Sequence, residues 1–247
     1  MLEGAVVIVT GAAKGIGRGV AEVCARDGAR VALVDLDPAV EAVASELEGT
    51  THVGDVSDQG FAEQVVQSVI DAEGRVTGLV SNAGVLHEAS TVATSREQWD
   101  QTLAVNLTAP WLWAQQVIPA MVEAGGGSIV NMASIEATRV RADHAAYVSS
   151  KSGLLGLTRA IAIDHGRDGV RCNAVSPGSI DTEMFRGYVA QSPDPVALEA
   201  QLVGMNYAGR LGTSHEIGDL VSFLLSDRSQ FVNGADLVID GGRIAAT

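Results

Sequence analysis

Short apolar runs alternate with longer segments of helical spacing along the chain. Six runs rich in valine and isoleucine lack strict polar alternation, which is typical of strands covered on both faces. These runs lie at 5–9, 31–34, 76–81, 128–132, 171–175 and 236–239. The segments with helical spacing lie near 16–27, 38–47, 58–73, 96–124, 147–165 and 215–226. Repeated strand–helix alternation predicts an α/β fold, with a mainly parallel sheet and helices on both faces.

Nothing in the sequence divides the chain into separate domains. It has no internal repeat, no low-complexity stretch and no long run of like charge. Because 47% of the residues are apolar, the chain has the material for a substantial core. We therefore expect a single domain over 1–247. The segment 179–212 fits no strong period, and a long irregular insertion predicts a substrate loop or lid.

Charge and rare residue types exclude several classes of function. The formal net charge of −14 argues against nucleic acid and anionic membranes as partners. No two of the five histidines have the spacing of a zinc motif, so we expect no metal. Cys24 and Cys172 are far apart in the sequence. We expect both to be reduced thiols in the core of a cytoplasmic protein. We expect neither a signal peptide nor a membrane span, since no apolar run approaches about 18 residues.

A glycine-rich turn follows the first predicted strand and opens the first predicted helix. Its sequence, TGAAKGIG, places Gly11, Gly15 and Gly17 in the spacing GxxxGxG. Glycine allows a tight turn and close backbone approach, and free N–H groups at a helix start attract anions. At the first strand–helix junction this turn predicts a site for a dinucleotide pyrophosphate. A glycine turn alone is also compatible with a plain tight connection.

The choice of dinucleotide depends on Asp35, at the end of the second predicted strand. A carboxylate there can accept hydrogen bonds from the adenosine ribose hydroxyls and repels a 2′-phosphate, which favours NAD over NADP. Asp37 is equally eligible by position, and either carboxylate also fits a solvated turn. Lys14 favours the opposite choice, because a cation in the glycine turn attracts a 2′-phosphate. We expect the fixed carboxylate to outweigh the flexible lysine.

A phenol and an ammonium group share one face of the helix predicted at 147–165. Tyr147 and Lys151 are four residues apart and so lie one above the other. A free tyrosine titrates about three pH units too high for a base at neutral pH, a deficit of about 4 kcal/mol. A cation roughly 4 Å away at an effective dielectric constant near 20 supplies about that much. The pair alone is common, and a core tyrosine beside a solvent-directed lysine is the plain alternative.

Ser134 follows the predicted strand at 128–132, at an edge of the sheet where ligands collect. Its hydroxyl can donate to a substrate oxygen and stabilise the charge that develops there. A serine that only caps a turn is the alternative explanation.

Separated motifs across nearly the whole chain resemble the short-chain dehydrogenase/reductase family, in the subtype with chains of this length. The turn 10–17, the Asn82-Ala83-Gly84 motif, the pair Asp55-Val56 and the segment 177–182 are similar to its cofactor-binding segments. The resemblance implies a Rossmann-like doubly wound sheet and a nicotinamide cofactor. The cofactor-binding residues that it implies, together with Asp35, are Gly11, Lys14, Gly15, Ile16, Gly17, Asp55, Val56, Asn82, Ala83, Gly84, Tyr147, Lys151, Pro177, Gly178, Ile180 and Thr182.

The same resemblance implies a catalytic set of Asn106, Ser134, Tyr147 and Lys151. In it, Lys151 also binds the nicotinamide ribose, and Asn106 holds a water of a proton relay. Asn106 lies inside a predicted helix, where a polar side chain bonded to backbone is the ordinary interpretation.

Three further residues and one helix face complete the set of candidates. Glu136, His87 and His144 are near the motifs. They either line a polar substrate pocket or are solvated loop residues. The helix at 147–165 is apolar on more than one face, which predicts a partner subunit as well as the sheet. In the resembled family this helix commonly forms a dimer contact, so we expect a homotetramer.

The sequence thus predicts an NAD-dependent oxidoreductase that interconverts a secondary alcohol and its ketone. A polyol, a sugar and a hydroxysteroid all remain open as substrates. The alternatives are an NADPH-dependent 3-oxoacyl-thioester reductase, for which an arginine near position 35 is expected, and a non-catalytic nucleotide-binding scaffold.

Overall fold

Strands and helices alternate from the N-terminus as the apolar pattern predicts. The computed structural model describes residues 1–246. Within them the strands are β1 Val6–Thr10, β2 Arg30–Asp35, β3 Thr50–Val53, β4 Gly78–Ser81, β5 Gly127–Met132, β6 Val170–Pro177 and β7 Asp236–Ile239. The helices are α1 Gly15–Arg26, α2 Val40–Glu46, α3 Gln59–Glu73, α4 Arg96–Leu103, α5 Ala109–Glu123, α6 Ala145–His165, α7 Glu183–Ala190, α8 Pro195–Gly204 and α9 Ser214–Leu225.

The strands form one parallel sheet in the order β3-β2-β1-β4-β5-β6-β7. Alternate side chains of β1 lie on opposite faces of the sheet. Val7 and Val9 pack with α1 and α9, whereas Val6 and Ile8 pack with α3, α5 and α6. The Rossmann-like α/β fold class is therefore confirmed. In such a sheet, ligands bind beyond the carboxyl ends of the strands where the order reverses, here at β1 and β4.

Two features in the first half of the chain differ from the sequence prediction. The strand β3 was not predicted, because Thr50–Val53 is a short edge strand with mostly exposed side chains. The single helix expected over 96–124 is two helices, α4 and α5, joined by a π-helical stretch at Ala104–Thr108. π-Helical turns inside α-helices are frequent at functional sites.

The segment 179–212 is not irregular, so the expectation of an irregular backbone was wrong, whereas its role as a substrate loop or lid stays a prediction. It contains α7 and α8, which are only eight and ten residues long. Thr182 caps the start of α7 by accepting from the Phe185 N–H, and Asp194 caps α8 by accepting from the Ala197 N–H. These caps and Pro195 at the first position of α8 mark the starts of the two helices, which the apolar periodicity does not show.

Candidate active site

The glycine turn connects β1 to α1 at the point where the strand order reverses. Gly11 and Gly15 have φ values of +66° and +58°, which side chains rarely adopt. A Cβ atom on Gly17 would lie 2.0 Å from the carbonyl oxygen of Gly11. No side chain caps α1 at its N-cap residue, Lys14, so the first N–H groups of the helix are left for an anion.

Asn82 fixes this turn to the end of β4. Its Nδ2 group donates to the carbonyl oxygens of Thr10 and Gly11, at 2.9 and 3.0 Å. The Thr10 hydroxyl in turn accepts from the backbone N–H groups of Asn82 and Ala83, at 3.0 and 3.1 Å. Because both amide hydrogens are used on backbone oxygens, Asn82 acts on the shape of the turn.

The Asp35 carboxylate is held beside the turn by two backbone donors. Oδ2 accepts from the Ala13 N–H and Oδ1 from the Asp37 N–H, each at 2.9 Å. Each oxygen keeps a second lone pair for a ligand. Lys14 Nζ lies 3.6 Å from Asp37 Oδ2, so an acidic neighbour offsets the cation that favours a 2′-phosphate.

Tyr147 lies in the first turn of α6, with Lys151 one turn further along the same helix. The Lys151 Nζ donates to the carbonyl oxygen of Met132, the last residue of β5, at 2.7 Å. It lies 5.7 Å from the centre of the Tyr147 ring. Burial lowers the pKa of Lys151 to about 8.

The phenol has a high pKa in this structure. Burial raises the pKa of Tyr147 to about 12, a hydrogen bond with Ser134 lowers it, and the charge of Glu136 raises it further. The lowering of this pKa that is expected from Lys151 stays a prediction, and the positive charge of an oxidised nicotinamide would add to it. Helical spacing correctly predicts the shared face, and the ammonium group on that face bonds to the Met132 carbonyl.

Ser134 and Asn106 are positioned by local backbone features. Ser134 caps a short 3₁₀ helix after β5, where its Oγ accepts from the Glu136 N–H at 3.1 Å. Asn106 is fully buried in the π-helical stretch. Its amide bonds to both backbone groups of Val85, at 2.8 and 2.9 Å, and donates to Ser150 Oγ at 3.1 Å. A relay water at Asn106 stays a prediction.

A buried histidine joins two carboxylates next to Tyr147. His144 Nδ1 lies 2.6 Å from Glu136 Oε2, and Nε2 lies 3.2 Å from Glu88 Oε1. The hydrogen bond with Glu136 is the main cause that raises the pKa of His144, against desolvation. The rings of His144 and Tyr147 meet edge to face, with centres 6.1 Å apart.

A cleft of about 480 Å³ connects these groups. It extends from Asp35 and Asp55, past the glycine turn, to Ser134, Tyr147 and Lys151. Every cofactor-binding residue that the family resemblance implies lines it except Gly17, whose backbone is packed beneath the turn. The buried Asn106 is also outside the lining. This long cleft with a glycine cradle and a carboxylate at one end fits a nicotinamide dinucleotide.

Of the other candidates, Glu136 and His144 line the cleft, whereas His87 bonds to Gln101 at 3.0 Å and does not. Arg141, Tyr188 and Arg243 also line it and were not predicted, because they belong to no motif and lie far apart in sequence. Within residues 1–246, no group of three metal-ligating side chains is close enough to hold an ion. No helix of this part of the chain is long and apolar enough to cross a membrane.

Comparison with known proteins identifies the class. A family model described as Enoyl-(Acyl carrier protein) reductase, of the adh_short_C2 type, matches residues 11–243. The chain is 42% identical to D-threitol dehydrogenase of Mycolicibacterium smegmatis, over 98% of this chain and 93% of that protein.

Two solved structures are similar over almost their whole length. Levodione reductase superimposes with a TM-score of 0.96 at 32% identity, and the match covers 100% of both chains. A putative NAD(P)-dependent gluconate 5-dehydrogenase from Beutenbergia cavernae, with NADP bound at low occupancy, has a TM-score of 0.91 at 34% identity. That match covers 99% of this chain and 98% of the other.

The chain therefore belongs to the short-chain dehydrogenase/reductase family. It is an NAD(P)-dependent oxidoreductase that acts on CH–OH groups and interconverts a secondary alcohol and its ketone.

Proposed function

We propose that this enzyme oxidises a polyhydroxylated secondary alcohol with NAD, using Tyr147 as the acid/base. The observation that carries the proposal is the single cleft in which Ser134, Tyr147 and Lys151 share a wall with the glycine turn. Similarity to a D-threitol dehydrogenase supports a polyol or sugar-derived substrate. The polar groups of Glu136 and His144 at the same end suit hydroxyl groups better than hydrocarbon.

The cofactor preference follows from the Asp35 carboxylate. It is aimed by two backbone N–H groups, and Asp37 reduces the pull of Lys14 on a 2′-phosphate. The N-terminus of α1 would hold the pyrophosphate, with Asp35 on the adenosine ribose. A nicotinamide held in this cleft would supply the acceptor for the hydride of the alcohol carbon. One of the similar solved structures holds NADP, so NADP is the cofactor against which the preference for NAD must be tested.

Tyr147 takes the hydroxyl proton of the alcohol, and Ser134 donates a hydrogen bond to the same oxygen. Ser134 thereby stabilises the negative charge that develops on this oxygen. A working base needs a pKa closer to the operating pH than about 12. Lys151, the cation on this face of α6, and the positive charge of an oxidised nicotinamide would together lower the pKa of the phenol. Asn106 holds the backbone of Val85 below this end of the cleft.

The test is NADH formation by the purified enzyme with NAD in excess. The panel contains polyols, sugars, hydroxysteroids, simple secondary alcohols and 3-hydroxyacyl thioesters, and each is repeated with NADP. Turnover of a polyol or sugar with NAD is the expected result. Preference for a thioester with NADP supports the reductase alternative instead. No turnover in a protein that binds NADH, measured by fluorescence, favours the non-catalytic scaffold.

We also propose that the enzyme is a cytoplasmic homotetramer. On α6, Ile163 is 82% exposed although neighbouring apolar residues are buried, and Phe231 is fully exposed beyond α9. Such side chains suit an interface between subunits. Light scattering should give about four times the chain mass of 25.5 kDa, and a monomer would contradict this assembly. The two cysteines are free and buried, as suits a reducing compartment.

A further inference from the structure

Two arginines face the substrate end of the cleft from different parts of the chain. Arg141 lies just before α6, and Arg243 follows β7. Arg141 bonds to the Tyr188 hydroxyl and lies 4.8 Å above the centre of that ring. Arg243 donates to Ser179 Oγ at 2.6 Å and to the sulfur of Met205 at 3.3 Å. Both guanidinium groups are thus fixed by neutral partners in the segment 179–212.

Within residues 1–246 neither guanidinium has an ion-pair partner, although the protein is strongly acidic. The chain has 30 acidic and 16 basic residues, and Arg186 in α7 and Arg210 before α9 are paired with carboxylates at 2.6 to 2.7 Å. Among the described residues, no carboxylate lies within 4.0 Å of Arg141 or Arg243. Burial lowers the pKa of Arg243, and the positive charge of Arg141 lowers it further.

The nearby carboxylates bond to other groups and not to these arginines. Glu136 attracts Arg243 electrostatically, but its Oε2 bonds to His144 at 2.6 Å. Asp240 also attracts Arg243, but its two oxygens accept from the backbone N–H groups of Gly242 and Ile244, at 2.8 and 2.7 Å. Two like charges are therefore held toward one cavity, and each guanidinium keeps unused donors.

We propose that Arg141 and Arg243 form a subsite for an anionic group of the substrate. A guanidinium fork matches the oxygens of a carboxylate or a phosphate ester, and an anion between the two would relieve their repulsion. Glu136 acts electrostatically on both Arg243 and Tyr147, so the subsite and the acid/base belong to one substrate pocket. The substrate is then a polyhydroxy acid or a polyol phosphate. This inference rests on the proposed alcohol oxidation at Tyr147.

The experiment compares three substrates that share one carbon skeleton: D-glucitol, D-gluconate and D-glucitol 6-phosphate. We expect kcat/KM to be at least about tenfold higher for one of the two anions than for D-glucitol. In Arg243→Met and Arg141→Met, KM for that anion should rise about tenfold or more, and KM for D-glucitol should change much less. The exposed Arg167→Gln is the matched control for the loss of one positive charge.

Equilibrium binding separates failure of the subsite from failure of the proposed reaction. Calorimetry on the NADH complex of the wild type measures the affinity for D-gluconate and D-glucitol 6-phosphate. Oxidation of D-glucitol with no preference for either anion overturns the subsite and leaves the reaction standing. If none of the three is oxidised, calorimetry decides: anion binding that is lost in Arg243→Met supports the subsite, and no binding overturns it. Melting temperature and NADH binding show that each variant is folded.

Discussion

The Lys151 ammonium group donates to the carbonyl oxygen of Met132 at 2.7 Å. This bond joins α6 to the end of β5 and keeps the cation 5.7 Å from the centre of the Tyr147 ring. Lys151 is only 4% exposed, so folding takes its charge out of water. Lys151, which we propose supports catalysis, therefore lowers the free energy of unfolding.

Lys151→Met should raise the free energy of unfolding at pH 7. The pKa of Lys151 is lowered from 10.5 to about 8, so its buried charge is a penalty of about 3 kcal/mol below pH 8. Part of the gain is offset, since the Met132 carbonyl loses its partner. Between pH 8 and 10.5 the unfolded chain binds more protons, so wild-type stability rises and the difference shrinks. Denaturant unfolding at pH 7 and pH 10 measures this. If the difference in free energy of unfolding between Lys151→Met and the wild type does not depend on pH, the charge of Lys151 is not destabilised by burial.

Asp35→Ser should weaken the preference for NAD over NADP by at least about tenfold in kcat/KM, equivalent to about 1.4 kcal/mol. The reason is that repulsion of a 2′-phosphate and acceptance from the ribose hydroxyls are both lost. Kinetics with each cofactor at a fixed alcohol concentration measure the ratio.

Asp37→Ser is the matched control, because it removes the same charge two residues away. It frees Lys14 but leaves the Asp35 carboxylate in place, so the ratio should change much less. Equal effects of the two substitutions would mean that net charge, and not the position of Asp35, sets the preference.

Gly17→Ala should weaken NADH binding by at least about tenfold and lower the melting temperature. The new Cβ would lie 2.0 Å from the Gly11 oxygen and 2.4 Å from the Asn82 amide nitrogen, so the turn must open. Gly187→Ala is the control, since a Cβ there meets nothing within 4 Å and alanine favours the helix. Normal NADH affinity in Gly17→Ala would show that the tight turn is not required.

His144→Gln should remove a pH dependence of stability above pH 6.5. The pKa of His144 is raised by Glu136 and Glu88, so protonated His144 stabilises the fold fully below pH 6.5. That contribution is lost as the pH rises through the raised value. Wild-type stability should therefore fall relative to the variant over this range. Unfolding curves between pH 5.5 and pH 9 test it, with the partly exposed His165→Gln as control. Parallel curves for wild type and His144→Gln would refute the coupling.

The sequence predicted the parts of this molecule that depend on local pattern. Buried strands and the glycine turn follow from apolar runs and from backbone freedom, and both are found where they were expected. The polar edge strand β3 has little apolar periodicity, and the helices α7 and α8 are only eight and ten residues long, so these elements were missed. The π-helical break at Asn106 has no sequence signal that we recognise.

Site chemistry was predictable only as far as local spacing determines it. The four-residue interval places Tyr147 and Lys151 on one face, but the direction of the ammonium depends on the Met132 carbonyl, 19 residues earlier. Arg141 and Arg243 line the same cleft because the chain returns to it after β7. Contacts of that range require the tertiary structure.

The central claim, that Tyr147 exchanges the alcohol proton, is tested most directly by Tyr147→Phe. Turnover with NAD and the best alcohol of the panel is measured beside NADH affinity, with the exposed Tyr207→Phe as control. We predict a fall in kcat of about 10²- to 10⁴-fold with NADH affinity nearly unchanged, because only the proton acceptor is removed. A variant that binds NADH and keeps most of the wild-type kcat would contradict the account.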